Sequence, residues 1–103
     1  MRIEQRFAWD PNKAASNLRK HGVSFDVAIH VFADEHRETE EDKDHVGERR
    51  WRTIGAVGGV RLIVVVHLTH EFLEDGSLIE LIRVISAREP TRHERRRYER
   101  GTR

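Results

Sequence analysis

The chain has 103 residues, no cysteine, 37% hydrophobic and 36% charged residues, and a formal net charge of +1. That length suits one domain with a modest core, and the lack of cysteine excludes disulfides and thiolate metal sites. The N-terminal MRIEQRFAWD holds no apolar run of the signal-peptide kind, and the longest run, LIVVV at 62–66, is far too short for a bilayer, so a cytoplasmic protein with no membrane role is expected.

Residues 3–8 form a candidate strand. Asp10-Pro11 then starts a helix, because the carboxylate can accept from a first-turn N–H and proline there lacks only a donor the helix does not need. Lys13 to Lys20 follow as helix, with Ala14, Ala15 and Leu18 spaced to face inward, and Gly22 ends it. Ser24 can cap a second helix in which Phe25, Ala28, Ile29 and Phe32 recur at spacings of three and four. Residues 36–42 suit an edge strand whose carboxylates deter unwanted pairing.

RRWRTIGAV, residues 49–57, alternates Trp51 and Thr53 against Arg50 and Arg52. Gly58-Gly59 supplies a two-residue turn into VRLIVVVHLTHEF, and Glu74-Asp75-Gly76-Ser77 a second turn into LIELIRVISA, residues 78–87. LIVVV is apolar on both faces, as a covered central strand requires. Thr91 and Glu94 match a capping box for a helix over about 91–100, in which only Tyr98 could anchor an otherwise polar surface. The reading is an α+β domain: two N-terminal helices and a C-terminal helix packed on a small antiparallel sheet.

Charge is unevenly placed. From Arg83 onward eight arginines face three glutamates, whereas residues 33–48 hold eight carboxylates against two basic side chains and two histidines. Such asymmetry points to a polyanion, an acidic protein partner, or an internal match between the two segments. At helical spacing Arg92, Arg96, Arg100 and Arg103 share one side, Arg95 lies near Tyr98 and Glu94, and Arg83 and Arg88 approach from the preceding strand. Guanidinium groups neutralise phosphates and an aromatic ring among them can stack on a base. A solvated helix paired with the acidic segment explains the same composition.

Lys13, His21, His67, Glu94 and Tyr98 supply the group types for metal-free RNA cleavage. One group takes the 2′-hydroxyl proton, another protonates the leaving 5′-oxygen, and cations stabilise the phosphate. His67 and His70, three apart on a strand, should face opposite ways, and no histidine spacing resembles a metal site. No cofactor motif is present.

WDPNKAASNLRKHGVSFDVAIHVF, residues 9–32, resembles the opening signature of the BrnT family of ribonuclease toxins. Asp44-His45, Arg50, Ile54-Gly55, Arg61 and LIVVVH agree with the family's middle, and RVISAREPTRHERRRYE with its ending. The resemblance implies a RelE-like fold and a ribonuclease that cuts mRNA and arrests translation. It also implies a BrnA-type ribbon-helix-helix antitoxin in a hetero-oligomer, with operator DNA reached only through that antitoxin. Carried over onto this chain, its site would comprise Arg50, Arg61, Arg83, Glu94 and Tyr98 for catalysis, with Arg88, Arg95, Lys13 and His21 binding RNA; the helical spacing adds Arg92 and Arg96 to the RNA-binding set, and no metal or cofactor is expected. The insert HLTHEFLEDGSLIEL is long for the family and should extend a hairpin. The competing readings are a non-catalytic module that binds nucleic acid or acidic protein, and a purely structural partner.

Overall fold

Local chemistry fixes the helix ends in the computed structural model, which describes residues 2–43 and 46–102 and so leaves Met1, Asp44, His45 and Arg103 outside. After strand β1 (Arg2–Ala8), Asp10 accepts from the Asn12 N–H at 2.8 Å and opens α1 (Pro11–His21); Gly22, at φ 69°, closes it by donating to the Leu18 carbonyl. Ser24 caps α2 (Phe25–Ala28) through Val27 N–H. This second helix is one turn rather than the longer element its periodicity suggested, and it tightens at once into a 3-10 segment over Ile29–Ala33. The β-branched Val27, Ile29 and Val31 weaken α-helix here. Val31 also lies so close on Gly55 that a Cβ there would sit 2.8 Å from the Val31 carbonyl oxygen.

Four strands follow as a meander: β2 (Glu38–Glu41), β3 (Trp51–Val57), β4 (Arg61–Glu74) and β5 (Ser77–Arg88). The sheet order is β1-β5-β4-β3-β2. It is mixed, not antiparallel, because β1 pairs with β5 in parallel from Arg2 opposite Ser77 to Ala8 opposite Arg83. The helices between β1 and the meander provide the long crossover that parallel pairing needs. The loop after β3 is three residues, since Val57 pairs with Arg61; the second turn is Asp75-Gly76 as expected, both at positive φ. The insert lengthens the β4–β5 hairpin beyond the end of β3, and its register shifts between Val66 and His67, which oppose Ser86 and Val84.

Each sheet face carries its own core. Val23, Phe25, Val31 and Phe32 pack on Ile63, Val65, Ile82, Val84 and Ala87 from the N-terminal side. On the other face Ile54, Leu62 and Val64 receive Tyr98 of α3 (Arg92–Gly101). Burying such side chains contributes about 1.5–3 kcal/mol each. Of the α1 residues expected to face inward, Ala14 packs against the core, Ala15 is exposed and Leu18 is 51% exposed; the buried residue of the helix is Asn17, 6% exposed. β1 ends opposite Arg83, so the outer edge of β5 beyond it lacks a strand; the Asn17 amide stands in, donating to the Ala87 and Val23 carbonyls and accepting from Ala87 N–H. No described helix is long and apolar enough to cross a membrane.

Candidate active site

The alternation of β5 determines where its arginines go. Ile82, Val84 and Ala87 belong to the N-terminal-side core, the bulge at Ile85 keeping Ala87 in phase with Val84, so Arg83 and Arg88 both project from the opposite face, the one that α3 partly covers. Arg52 shares that face, because Trp51 and Thr53 flank it and Thr53 bonds His67 on the other. The α3 helix crosses beside them, held by its capping box and by Tyr98.

Within this region one ion pair is bidentate: Arg88 donates to both Glu94 oxygens at 2.8 and 3.1 Å. Glu94 also accepts from Thr91 N–H at 2.8 Å. Burial raises the Glu94 pKa, but Arg88 and the Thr91 donors outweigh it and bring the carboxyl down to about 2. Tyr98 is 8% exposed and donates to Asp34, and burial followed by that carboxylate pushes the phenol up to about 12. Neither group exchanges protons readily near neutral pH.

The acidic segment reaches α3 as well. Glu40 accepts from Arg97 at 2.6 Å and lies 3.4 Å from Arg52. A cavity of about 30 Å³ beneath the helix is lined by Glu38, Glu40, Arg52, Glu94 and Arg97 among others. Part of the dipolar charge pattern is therefore an internal match. Arg83, Arg92, Arg95, Arg96 and Arg100 stay exposed, and among the described residues none makes a hydrogen bond or ion pair with a side chain.

A family model described as the ribonuclease toxin BrnT of type II toxin-antitoxin systems matches residues 9–94. The chain belongs to the BrnT family. The fold is similar to the crystal structure of the Brucella abortus ribonuclease toxin BrnT, with a TM-score of 0.53 and 22% identity over 89% of this chain and 100% of that one. No curated protein matches the sequence. Membership makes the chain a ribonuclease toxin of a type II system, and such a system implies an antitoxin partner.

In this member of the family the expected site residues divide into two sets. Arg88, Glu94 and Tyr98 lie together on the α3 face, with Arg92, Arg95 and Arg96 exposed on the helix, whereas Arg83 projects from that face farther along β5, opposite Leu68 where Arg88 is opposite Val64. Arg50 stands just before β3; its carbonyl accepts from Asp42 N–H, and its Nε is buried without a hydrogen-bond partner among the described residues. Arg61 instead pairs with Glu89 at 2.9 Å, next to side chains of the other core. Lys13 and His21 lie on α1, across the sheet from α3. His67 is buried on that same far side against Phe32, bonded to Thr53 and Thr69, with His70 exposed on the opposite face. No group of three or more His, Asp or Glu side chains is gathered as a metal site among the described residues.

Arg52, Arg97, Glu40 and Asp34 are the site residues that sequence reasoning missed. Strand alternation could have placed Arg52, and the three-residue spacing from Glu94 could have placed Arg97. Nothing local marks the contacts of Asp34 and Glu40 with α3, whose partners Tyr98 and Arg97 lie 64 and 57 residues away.

Proposed function

We propose that this BrnT-family chain cleaves mRNA without a metal and so arrests translation, and that a BrnA-type ribbon-helix-helix antitoxin neutralises it in a hetero-oligomer that reaches operator DNA only through the antitoxin. A RelE-like character of the fold and a cytoplasmic site of action belong to the same proposal. The observation that carries it is the exposed Arg83 guanidinium, opposite Leu68 on the same sheet face as Arg88, which stands opposite Val64, and as α3 with its exposed arginines.

In this reading the RNA 2′-oxygen attacks the adjacent phosphorus and the 5′-oxygen leaves, giving a 2′,3′-cyclic phosphate and a 5′-hydroxyl with protons passing through solvent. Arg83, Arg88 and Arg50 hold the phosphate and oppose the charge that develops on it. Arg92, Arg95 and Arg96 track the backbone. Glu94 orients Arg88. Lys13, His21 and Arg61 stand outside this site, and Tyr98 anchors the helix that borders it.

The second reading is a nucleic-acid binder that cuts nothing. One observation favours it: the two nearest proton-transfer groups, Glu94 and Tyr98, are both engaged within the fold. Incubation of the pure protein with a long mRNA in EDTA separates the two. Cyclic-phosphate ends support the ribonuclease, and retarded but intact RNA supports the binder. Arg83→Ala is expected to lose about 2.7–4 kcal/mol of transition-state stabilisation, roughly a hundredfold or more in rate. Unchanged cleavage and growth arrest in that variant would remove Arg83 from the site.

A further inference from the structure

Glu40 occupies an unusual place for a surface carboxylate. Its two oxygens are each met by a different guanidinium, Oε2 by Arg97 at 2.6 Å and Oε1 by Arg52 at 3.4 Å. The side chains are 37%, 42% and 25% exposed for Glu40, Arg97 and Arg52, so solvent reaches the group. A pin for α3 does not explain it. Exposed ion pairs contribute about 0–1 kcal/mol, and the helix is already held by Tyr98 and its capping box. Two guanidinium groups sharing one anion do reproduce what the two non-bridging oxygens of a phosphodiester require.

We infer that Arg52 and Arg97 form a second phosphate subsite whose resting occupant is the Glu40 carboxylate, and that an RNA phosphodiester binds there by displacing it. The inference rests on the RNA-cleaving reading above. Its position fits: Arg52 on β3 shares the Arg83 and Arg88 face, and β3 lies two strands from β5, roughly 10 Å away. A phosphate next along the chain from the one held by Arg83 and Arg88 can reach it. The adjoining cavity of about 30 Å³ has room for water and none for a phosphate, so the carboxylate must swing out before the subsite fills. The acidic strand β2 then acts as a built-in competitor that RNA has to outbid.

The test is fluorescence anisotropy with a short labelled 2′-O-methyl RNA, which cannot form the cyclic phosphate. Glu40→Gln is expected to bind roughly three- to tenfold more tightly than Glu35→Gln, which removes the same charge from a carboxylate 90% exposed. Its log–log salt slope should steepen by about 0.7 for the added single-strand phosphate contact. Glu40→Asp withdraws the carboxylate without altering net charge and should tighten binding too. Adding Arg97→Gln to Glu40→Gln should abolish the gain. Thermal melts check that each variant is folded, and Glu40→Asp supplies the answer if Glu40→Gln is not. Equal binding by folded Glu40→Asp, Glu40→Gln and Glu35→Gln, with cleavage intact, overturns the subsite and leaves the ribonuclease reading standing. No RNA binding or cleavage by any protein overturns both. Tighter antitoxin binding with unchanged RNA binding assigns the subsite to a protein carboxylate and overturns RNA as its occupant.

Discussion

Tyr98 of α3 donates its phenolic hydrogen bond to Asp34 at 2.5 Å across 64 residues of sequence. The same carboxylate accepts from the N–H groups of Ala56 at 2.7 Å and His36 at 2.9 Å. One side chain thus joins the last helix, the third strand and the segment leading into β2. Burial raises the Asp34 pKa, but the hydrogen bonds from Tyr98, Ala56 and His36 prevail and hold it below the usual carboxylate range.

Tyr98→Phe removes one donor to this charged group and leaves two. The expected loss is about 1.5–3 kcal/mol of folding stability, measured by chemical denaturation. If the phenol is an anchor, cleavage per folded molecule should be retained. A rate that collapses while the fold survives would place the hydroxyl in the chemistry.

Asn17 carries a heavier structural duty than its polarity suggests. Asn17→Ala leaves the Ala87 N–H and carbonyl without partners at the buried edge of β5. A loss of about 2–4 kcal/mol is expected, because each unsatisfied buried group costs roughly 1–3 kcal/mol. Hydrogen exchange at Ala87 should quicken more than at Val65 on the same sheet, and uniform quickening would show that the amide does not act locally.

His67 gives the fold an acid limit. Burial, opposed in part by the Leu68 backbone and by Glu80, pushes its pKa down to about 4. The unfolded chain binds a proton near 6.5 and the native state resists until about 4, so stability is full above 6.5 and declines as pH falls from 6.5 to 4. His67→Gln should flatten that part of the stability–pH curve while retaining the bonds to Thr53 and Thr69. An unchanged slope would assign the acid sensitivity elsewhere.

What the sequence revealed follows contact range. Asp10-Pro11, Gly22, Ser24, Asp75-Gly76 and the Thr91–Glu94 capping box are determined by neighbours a few residues apart, and each appears in the fold. The doubly covered LIVVV run also told its place in the middle of the sheet. The parallel pairing of β1 was hidden, because nothing in RIEQRFA distinguishes a partner 75 residues on from one nearby. Asn17 was hidden by the rule that polar residues face outward, which fails where a strand edge lacks a partner. Around the site, Arg83 and Arg88 were named through the family motif, but alternation sets residues five apart on opposite faces, and the bulge at Ile85 that brings them to one face left no mark in the sequence. The engagement of Glu94, Tyr98 and Arg61 depended on contacts that composition does not encode.

Glu94 permits the sharpest separation of fold from chemistry. Its carboxyl titrates near 2 in the native state against an ordinary value of 4.5, so its stabilising contribution is complete above 4.5 and is lost as pH falls through about 2. Glu94→Gln should remove stability at neutral pH and flatten the stability–pH curve between 4.5 and 2, where wild type weakens. The Arg88 pKa, raised first by its hydrogen bond with Glu94, should relax toward its ordinary value, though the guanidinium stays charged at any working pH. A base this weak cannot set a limb of the pH–rate profile near neutrality. Cleavage by Glu94→Gln should therefore keep the wild-type pH dependence and lose rate only through a misplaced Arg88. A limb near neutrality that vanishes in the variant would mean that RNA binding strips Arg88 from Glu94 and frees the carboxylate as a base.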